Sequence, residues 1–248
     1  MFYYTKKENL PYFIFDGKYS FDYKMVVTKN NRYSSSETEY DTHSIPGRDG
    51  EVLVKKGKKN KIIDVEFSLD CENKEEFNLY SKMIKKWLQG EFKYKELVFS
   101  DDLETIYEAM CINKIDIDEV LKNLGICKLK FSCKPYTKTV FNEAIAITDR
   151  KKVVYNEYME SPPTIKVYGN GNLDFSINNQ KVILKNIEDY IIVDSEEMEC
   201  YKNDNGNITY CNDRIYSELP VLEEGENEIV LGDNIEKIEI TPNWREGD

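Results

Sequence analysis

Any Ser-His-Asp or Cys-His mechanism in this chain must use His43, the only histidine among its 248 residues. Such a base works when a third group orients it within a fixed frame. His43 sits among Asp41, Thr42 and Ser44 in a long polar stretch, so no nucleophilic triad is expected. Paired carboxylates are the next candidates, because two acids at a set separation hydrolyse glycosides. Here they occur as the neighbours Asp101-Asp102, Glu196-Glu197 and Glu223-Glu224. Adjacent residues on a strand point to opposite faces, so these pairs are expected as solvated turns. Asn203-Asp204-Asn205-Gly206 has the flavour of a calcium loop, but Arg214 stands where the bidentate glutamate belongs, and a hairpin is expected instead. The six cysteines form no C-x-x-C pair. Cys71 continues the alternation of Val65, Phe67 and Leu69, while Cys127 and Cys133 share a strand face with Leu129 and Phe131, so they read as core. No catalytic residue, metal ligand or cofactor is expected, and the chain reads as a protein that is not an enzyme.

Composition narrows the partners. A formal net charge of −12 opposes phosphate binding, which depends on Lys and Arg displacing counterions, so no sequence-specific nucleic-acid binding is expected. Five arginines against twenty-nine lysines fit an AT-rich genome better than a binding chemistry. With 40% hydrophobic and 12% aromatic residues there is material for buried cores. No apolar run is long enough to cross a bilayer, so no membrane association is expected. Met1 to Lys7 lacks the apolar run of a secretory signal, and synthesis in a reducing host cytoplasm follows as the expectation.

The elements that must position these residues are mostly strands. Tyr12, Ile14 and Phe15, a turn at Asp16-Gly17, then Tyr19, Phe21, Tyr23, Met25 and Val27 read as paired strands. Lys29 to Ser44 is almost wholly polar, and is either disordered or an arm that docks elsewhere. After Ile45 to Gly50, Val52 and Val54 restart a strand, Lys56 to Lys61 reads as a turn, and Ile63 to Leu69 as the next strand. One helix is predicted, capped by Asn73 with Glu76, carrying Phe77, Tyr80, Ile84, Trp87 and Leu88 on one face, and stopped by Gly90. Strands follow at Leu97 to Phe99, Ile106 to Ile117 and Gly125 to Cys133, with a short turn at Asp118 to Asn123. Lys134-Pro135-Tyr136-Thr137 breaks the pattern and places a domain boundary near Pro135. Beyond it, short strands run from Thr164 to Ile240, with hairpins at Asn178-Asn179 and Asn203 to Asn207, which suggests a β-sandwich.

Several segments, in this order, carry a resemblance. They are Ile45-Pro46-Gly47-Arg48-Asp49-Gly50-Glu51 after the polar arm, Lys134-Pro135-Tyr136, Asp189 to Ser195, Leu222 to Asn227 followed by Ile229, and Ile240-Thr241-Pro242-Asn243-Trp244-Arg245. Over nearly the whole chain they resemble the bacteriophage distal tail protein (Dit) family of siphophage type. The resemblance implies an all-β protein: an N-terminal β-sandwich domain with one packed α-helix over residues 1–134, whose extended arm (residues 29–50) closes a ring, and a C-terminal galectin-like β-sandwich over residues 135–248. It implies a homo-hexamer at the virion tail tip, joined to the tail tube protein and to the tail-associated hub protein, with outer domains that support a receptor-binding protein. The arm and turn residues carried over as inter-subunit contacts are Arg32, Tyr33, Tyr40, Ile45, Pro46, Gly47, Arg48, Asp49 and Gly50. The alternative is a carbohydrate-binding module with Trp244 or the tyrosines as stacking platforms, and an acid/base glycoside hydrolase ranks last.

Overall fold

The computed structural model describes residues 10–115 and 127–247. Met1 to Lys7 and the turn expected at Asp118 to Asn123 lie outside the described residues. Two compact units divide the chain, one up to Val140 and the other from Phe141 to Glu246.

In the first unit the strands are β1 (Phe13–Phe15), β2 (Lys18–Tyr19), β3 (Met25–Asn30), β4 (Thr38–Ser44), β5 (Glu51–Lys58), β6 (Lys61–Leu69), β7 (Lys95–Phe99), β8 (Asp102–Cys111) and β9 (Cys127–Thr139). Helix α1 spans Lys74–Gln89. Seven of the strands form one antiparallel sheet in the order β2-β1-β7-β8-β9-β6-β3, while β4 and β5, among the described residues, pair only with each other. The N-terminal sandwich read from the sequence is thus a single sheet whose core α1 closes. That sheet curls. Three steps of about 4.8 Å separate β1 from β9 along the sheet, yet the rings of Phe13 and Phe15 lie 5.7 Å and 5.3 Å from that of Phe131 on β9.

The helix forms where its sequence places it. Asn73 Oδ1 accepts from the Glu76 amide at 2.9 Å, which satisfies an orphan donor of the first turn, and Glu76 Oε2 accepts from the Glu72 amide at 2.8 Å just before the cap. Phe77, Ser81, Ile84, Trp87 and Leu88 are buried, while Tyr80 is only half-buried. Ile63, Val65 and Phe67 on β6 alternate into the same core with Leu129, Phe131 and Cys133 on β9.

Three expectations need correction here. Tyr19 to Val27 is not one strand, because a 3-10 turn at Ser20–Tyr23, closed by Lys24 at φ 58°, separates β2 from β3. It sends β3 to the far edge of the sheet, where it pairs with β6 and not with β1. Lys56 to Lys61 is not a turn: β5 continues to Lys58, and Lys61 begins β6 with only 5% exposure. Lys134 to Thr137 does not break the pattern but lies within β9. Pro135 is tolerated because the β8 register shifts between Tyr107 and Ala109, so that Pro135 falls in a bulge where its missing N–H breaks no regular ladder with β8, and pairing with β6 has already ended at Cys133.

The second unit contains β10 (Ile145–Ile147), β11 (Lys151–Asn156), β12 (Thr164–Gly169), β13 (Gly171–Ile177), β14 (Gln180–Ile187), β15 (Tyr190–Asp194), β16 (Glu199–Asp204), β17 (Asn207–Tyr210), β18 (Gly225–Leu231) and β19 (Ile235–Thr241). They form two sheets, β10-β19-β12-β15-β16-β17 and β11-β18-β13-β14, around one core. Asn205 (φ 53°) and Gly206 (φ 94°) supply the two positive φ values of the β16–β17 hairpin turn, which disposes of the calcium-loop reading. The expectation of an all-β protein with one packed helix is met.

Asn227, fully buried, holds the loop before β18. Its Oδ1 accepts from the Glu223 amide (2.9 Å) and from Asn178 Nδ2 (3.1 Å), and its Nδ2 donates to the carbonyls of Glu223 (2.8 Å) and Gly225 (3.2 Å). Asn227→Leu would leave these groups without their partner, each at about 1–3 kcal/mol. We expect a loss of about 3 kcal/mol or more by denaturant unfolding. A loss under about 1 kcal/mol would mean that water or a rearranged loop replaces the amide.

Five of the six cysteines are buried, and Cys71 packs half-buried against the first core. Burial pushes the thiols of Cys111, Cys127 and Cys200 up to about 11. They are core residues, not nucleophiles.

Candidate inter-subunit surface

The polar arm is one half of a ribbon. Strands β4 and β5 pair antiparallel from Thr38↔Lys58 to Ser44↔Glu51, with a register shift between Glu39 and Tyr40. The turn joining them needs its glycines for backbone reasons alone. Gly47 (φ 83°) follows Pro46, and the Arg48 amide donates to the Ile45 carbonyl at 3.1 Å, as in a type II turn. Gly50 has φ 82°, and a Cβ at either glycine would meet open space. Asp49 and Arg48 are exposed at the tip.

Directly paired residues share a face. Tyr40, Thr42, Leu53 and Lys55 therefore line one face of the ribbon, and Asp41, His43, Val52 and Val54 the other. No residue of either strand is buried: Leu53 is 63% exposed, Tyr40 54% and Val54 48%, and Ile45 in the turn is 47% exposed. One ion pair, Lys56–Asp41 at 2.8 Å, stiffens the second face. An isolated two-stranded ribbon is marginal in water. Among the described residues both faces and both outer edges are open, so the ribbon has the form of an element built to be covered by something else.

Its root is firmly held. The Lys59 amide donates to the Glu37 carbonyl at 2.8 Å, and the Lys59 ammonium lies 3.3 Å from the Glu37 carboxylate. Asn31 receives the Asp64 amide on Oδ1 at 2.6 Å and turns the chain after β3. Arg32, carried over as an arm residue, is only 2% exposed. Its Nη1 donates to Asp101 Oδ1 at 2.8 Å, its guanidinium carbon lies 5.5 Å from the centre of the Phe99 ring and 4.5 Å from that of Tyr33, and Nη2 bonds the Tyr33 hydroxyl. Arg32 therefore anchors the root inside its own unit, whereas Tyr33, 81% exposed, caps that anchor on the outside. Tyr40 and Ile45 to Gly50 lie on the ribbon itself. Lys29, which the sequence placed in the arm, belongs to β3.

The sequence reading missed β5 as the partner of the arm, as well as the burial of Arg32. Two runs of similar length, with Thr and Tyr before Pro46-Gly47 and Val after it, were the available signal for the ribbon. Nothing local signals Arg32, whose partner Asp101 is 69 residues away. The groups considered for chemistry stay apart. His43 is exposed on β4 opposite Val52, Asp101 is held by Arg32, and Glu196 lies 3.3 Å from Arg245. Trp244 is 9% exposed and stacks on Tyr158 at 5.9 Å, so it is no open platform for a sugar.

A family model described as the phage tail protein N-terminal domain matches residues 9–135, the segment that contains the curled sheet, the helix and the ribbon. The chain belongs to that family. The tail protein also shares its fold with solved structures along nearly its whole length. It aligns with the Dit protein of phage SPP1, described as a paradigm of the hub adsorption apparatus in phages that infect Gram-positive bacteria, over 96% of this chain and 99% of that one, with a TM-score of 0.73 and 14% identity. Chains of the phage P2 baseplate in its activated conformation align as well. With calcium the TM-score is 0.58 at 11% identity, covering 97% and 99% of the two chains; with strontium it is 0.56 at 11%, covering 94% and 98%. No curated protein sequence matches the chain. The resemblance to distal tail proteins seen in the sequence is borne out by family and fold together.

Proposed function

We propose that the tail protein is a non-enzymatic ring subunit of the tail tip, which assembles as a homo-hexamer between the tail tube protein and the tail-associated hub protein. Its second unit, read as a galectin-like sandwich, faces outward and supports a receptor-binding protein. The observation that carries this reading is the ribbon: among the described residues β4 and β5 form a sheet of two, uncovered on both faces, anchored at Arg32 and Asn31 but not packed into the unit that anchors it. Such a segment gains order by joining a neighbour's surface. A subunit that donates one surface and accepts on another closes into a ring instead of an open filament when the rotation allows it. The SPP1 and P2 structures support the placement, since their descriptions are those of a hub and a baseplate. The acidic balance of the chain suits a conduit along which DNA slides without sticking.

Negative-stain micrographs of the purified protein, or of tails that contain it, are expected to show a ring with sixfold averages. A species that stays monomeric by light scattering at high concentration, together with antibody labelling that misses the tail tip, would sink the reading.

A further inference from the structure

We propose that the free edge of β3 is the acceptor site for strand β4 of a second copy. The inference rests on the ring reading above and names the two surfaces that meet. Because the sheet curls, its two ends approach one another, and the residues preceding β1 run alongside β3. Between them lies an open seam. One end is a cavity of about 230 Å³ bounded by Leu10, Pro11 and Tyr12 on one wall and by Val27 to Asn30 on the other. The next, of about 140 Å³, continues along the same wall to Met25 and Val26. No backbone hydrogen bond crosses the seam from Leu10–Tyr12 to β3 among the described residues. Among the described residues β3 is the last strand of its sheet, and one side of its backbone has no ladder partner there. An unpaired edge beside a groove is the arrangement that accepts an added strand.

The ribbon offers two strands, and charge chooses between them. β5 carries Lys55, Lys56 and Lys58, and would set them beside Lys29, the one charged residue of β3 itself. β4 carries Glu39 and Asp41 instead. Lys29 on β3 and Glu39 on β4 form no ion pair among the described residues. Glu66, opposite Lys29 in the β6 register, is already engaged by Lys128 at 2.8 Å. Like charges directly opposite one another destabilise a strand pair, and opposite charges support it. Adding β4 gives the ribbon a third strand and gives β3 its missing neighbour. Donor and acceptor are different surfaces of the same chain, so the contact is head-to-tail.

The test uses cysteine pairs in the full-length chain, Lys29→Cys with Glu39→Cys, and separately Lys29→Cys with Asp41→Cys, so that either alignment along β4 is sampled. Assembled particles are treated with a mild thiol oxidant and run on non-reducing gels. A ladder of covalent multimers reaching six chains from at least one pair, absent from the parent with its six native cysteines and from each single-substitution variant, is the expected result. Rings seen by microscopy without a ladder above the single-substitution controls from either pair would overturn the inference while leaving the ring reading intact. If the parent protein forms no ring at all, the ring reading falls and takes this inference with it.

Discussion

Trp87→Ala is expected to destabilise the first unit by about 3–5 kcal/mol, a large share of the margin on which a domain of this size rests. Trp87 is 6% exposed near the end of α1, with its ring between two others. Tyr23 lies 4.3 Å away and Phe13 5.7 Å away, both within 7° of parallel, and Phe15 meets it edge-on at 6.2 Å. Its Nε1 donates to the Phe15 carbonyl at 3.0 Å. The alanine variant would lose the buried ring area, the stacking and a hydrogen bond of about 1 kcal/mol together. The cavity left behind is bordered by β1 and by the turn before β3, so it cannot collapse without moving two elements. Trp87→Phe keeps much of the stacking and should cost roughly half as much, on the scale of large core substitutions. Hydrogen exchange of peptides from β1 and α1 is a suitable readout, because it reports this unit separately from the other. Protection of those peptides unchanged in Trp87→Ala would mean that α1 is not held by this contact.

What the sequence made legible follows from which interactions are local. The Asn73 cap, the face of α1, the Ile63 to Leu69 alternation and the Asn-Gly hairpin each depend on residues within a few positions of one another, and each is found as read. The destination of β3 was hidden, since Lys24 at φ 58° redirects the chain and the partner, β6, lies beyond the ribbon. The ribbon itself was hidden for the opposite reason. Strands are read from an apolar face that alternates with a polar one, and β4 buries neither face. Thr38-Glu39-Tyr40-Asp41-Thr42-His43-Ser44 has nothing to alternate within its own unit, so the polar composition that marks it as an arm also conceals that it is a strand. β10 was missed because three residues give too little periodicity to read, and β11 because its inward positions hold Lys152, Val154 and Asn156 while Val153 and Tyr155 face out. The Arg32 anchor is long-range chemistry: a buried cation against Phe99 with its counter-charge on Asp101.

These bounds decide how the ribbon must be removed to learn what it does. Excising Lys29 to Ser44 would take away the end of β3, the Asn31 turn and buried Arg32, and would report on folding instead of assembly. Replacing Thr38 to Lys58 removes only the ribbon. Glu37 and Lys59 are joined by a 2.8 Å backbone hydrogen bond, so a linker of about two to four Gly/Ser residues spans the gap without strain. Since neither strand buries a residue, the variant is expected to melt within about 2 °C of the parent, because a shift that small corresponds to well under 1 kcal/mol. Assembly is expected to fail completely: light scattering should report monomer where the parent forms a ring, and the variant should not restore infectivity to a phage that lacks this protein. The two readouts separate the possible roles of the segment. A variant that melts like the parent and still assembles would move ring closure to the faces of the curled sheet and leave the ribbon without a part in it. A variant that unfolds would mean that the ribbon stabilises its own unit, although neither of its strands buries a residue. A folded monomer would be the signature of a segment whose only work is to hold one subunit to the next.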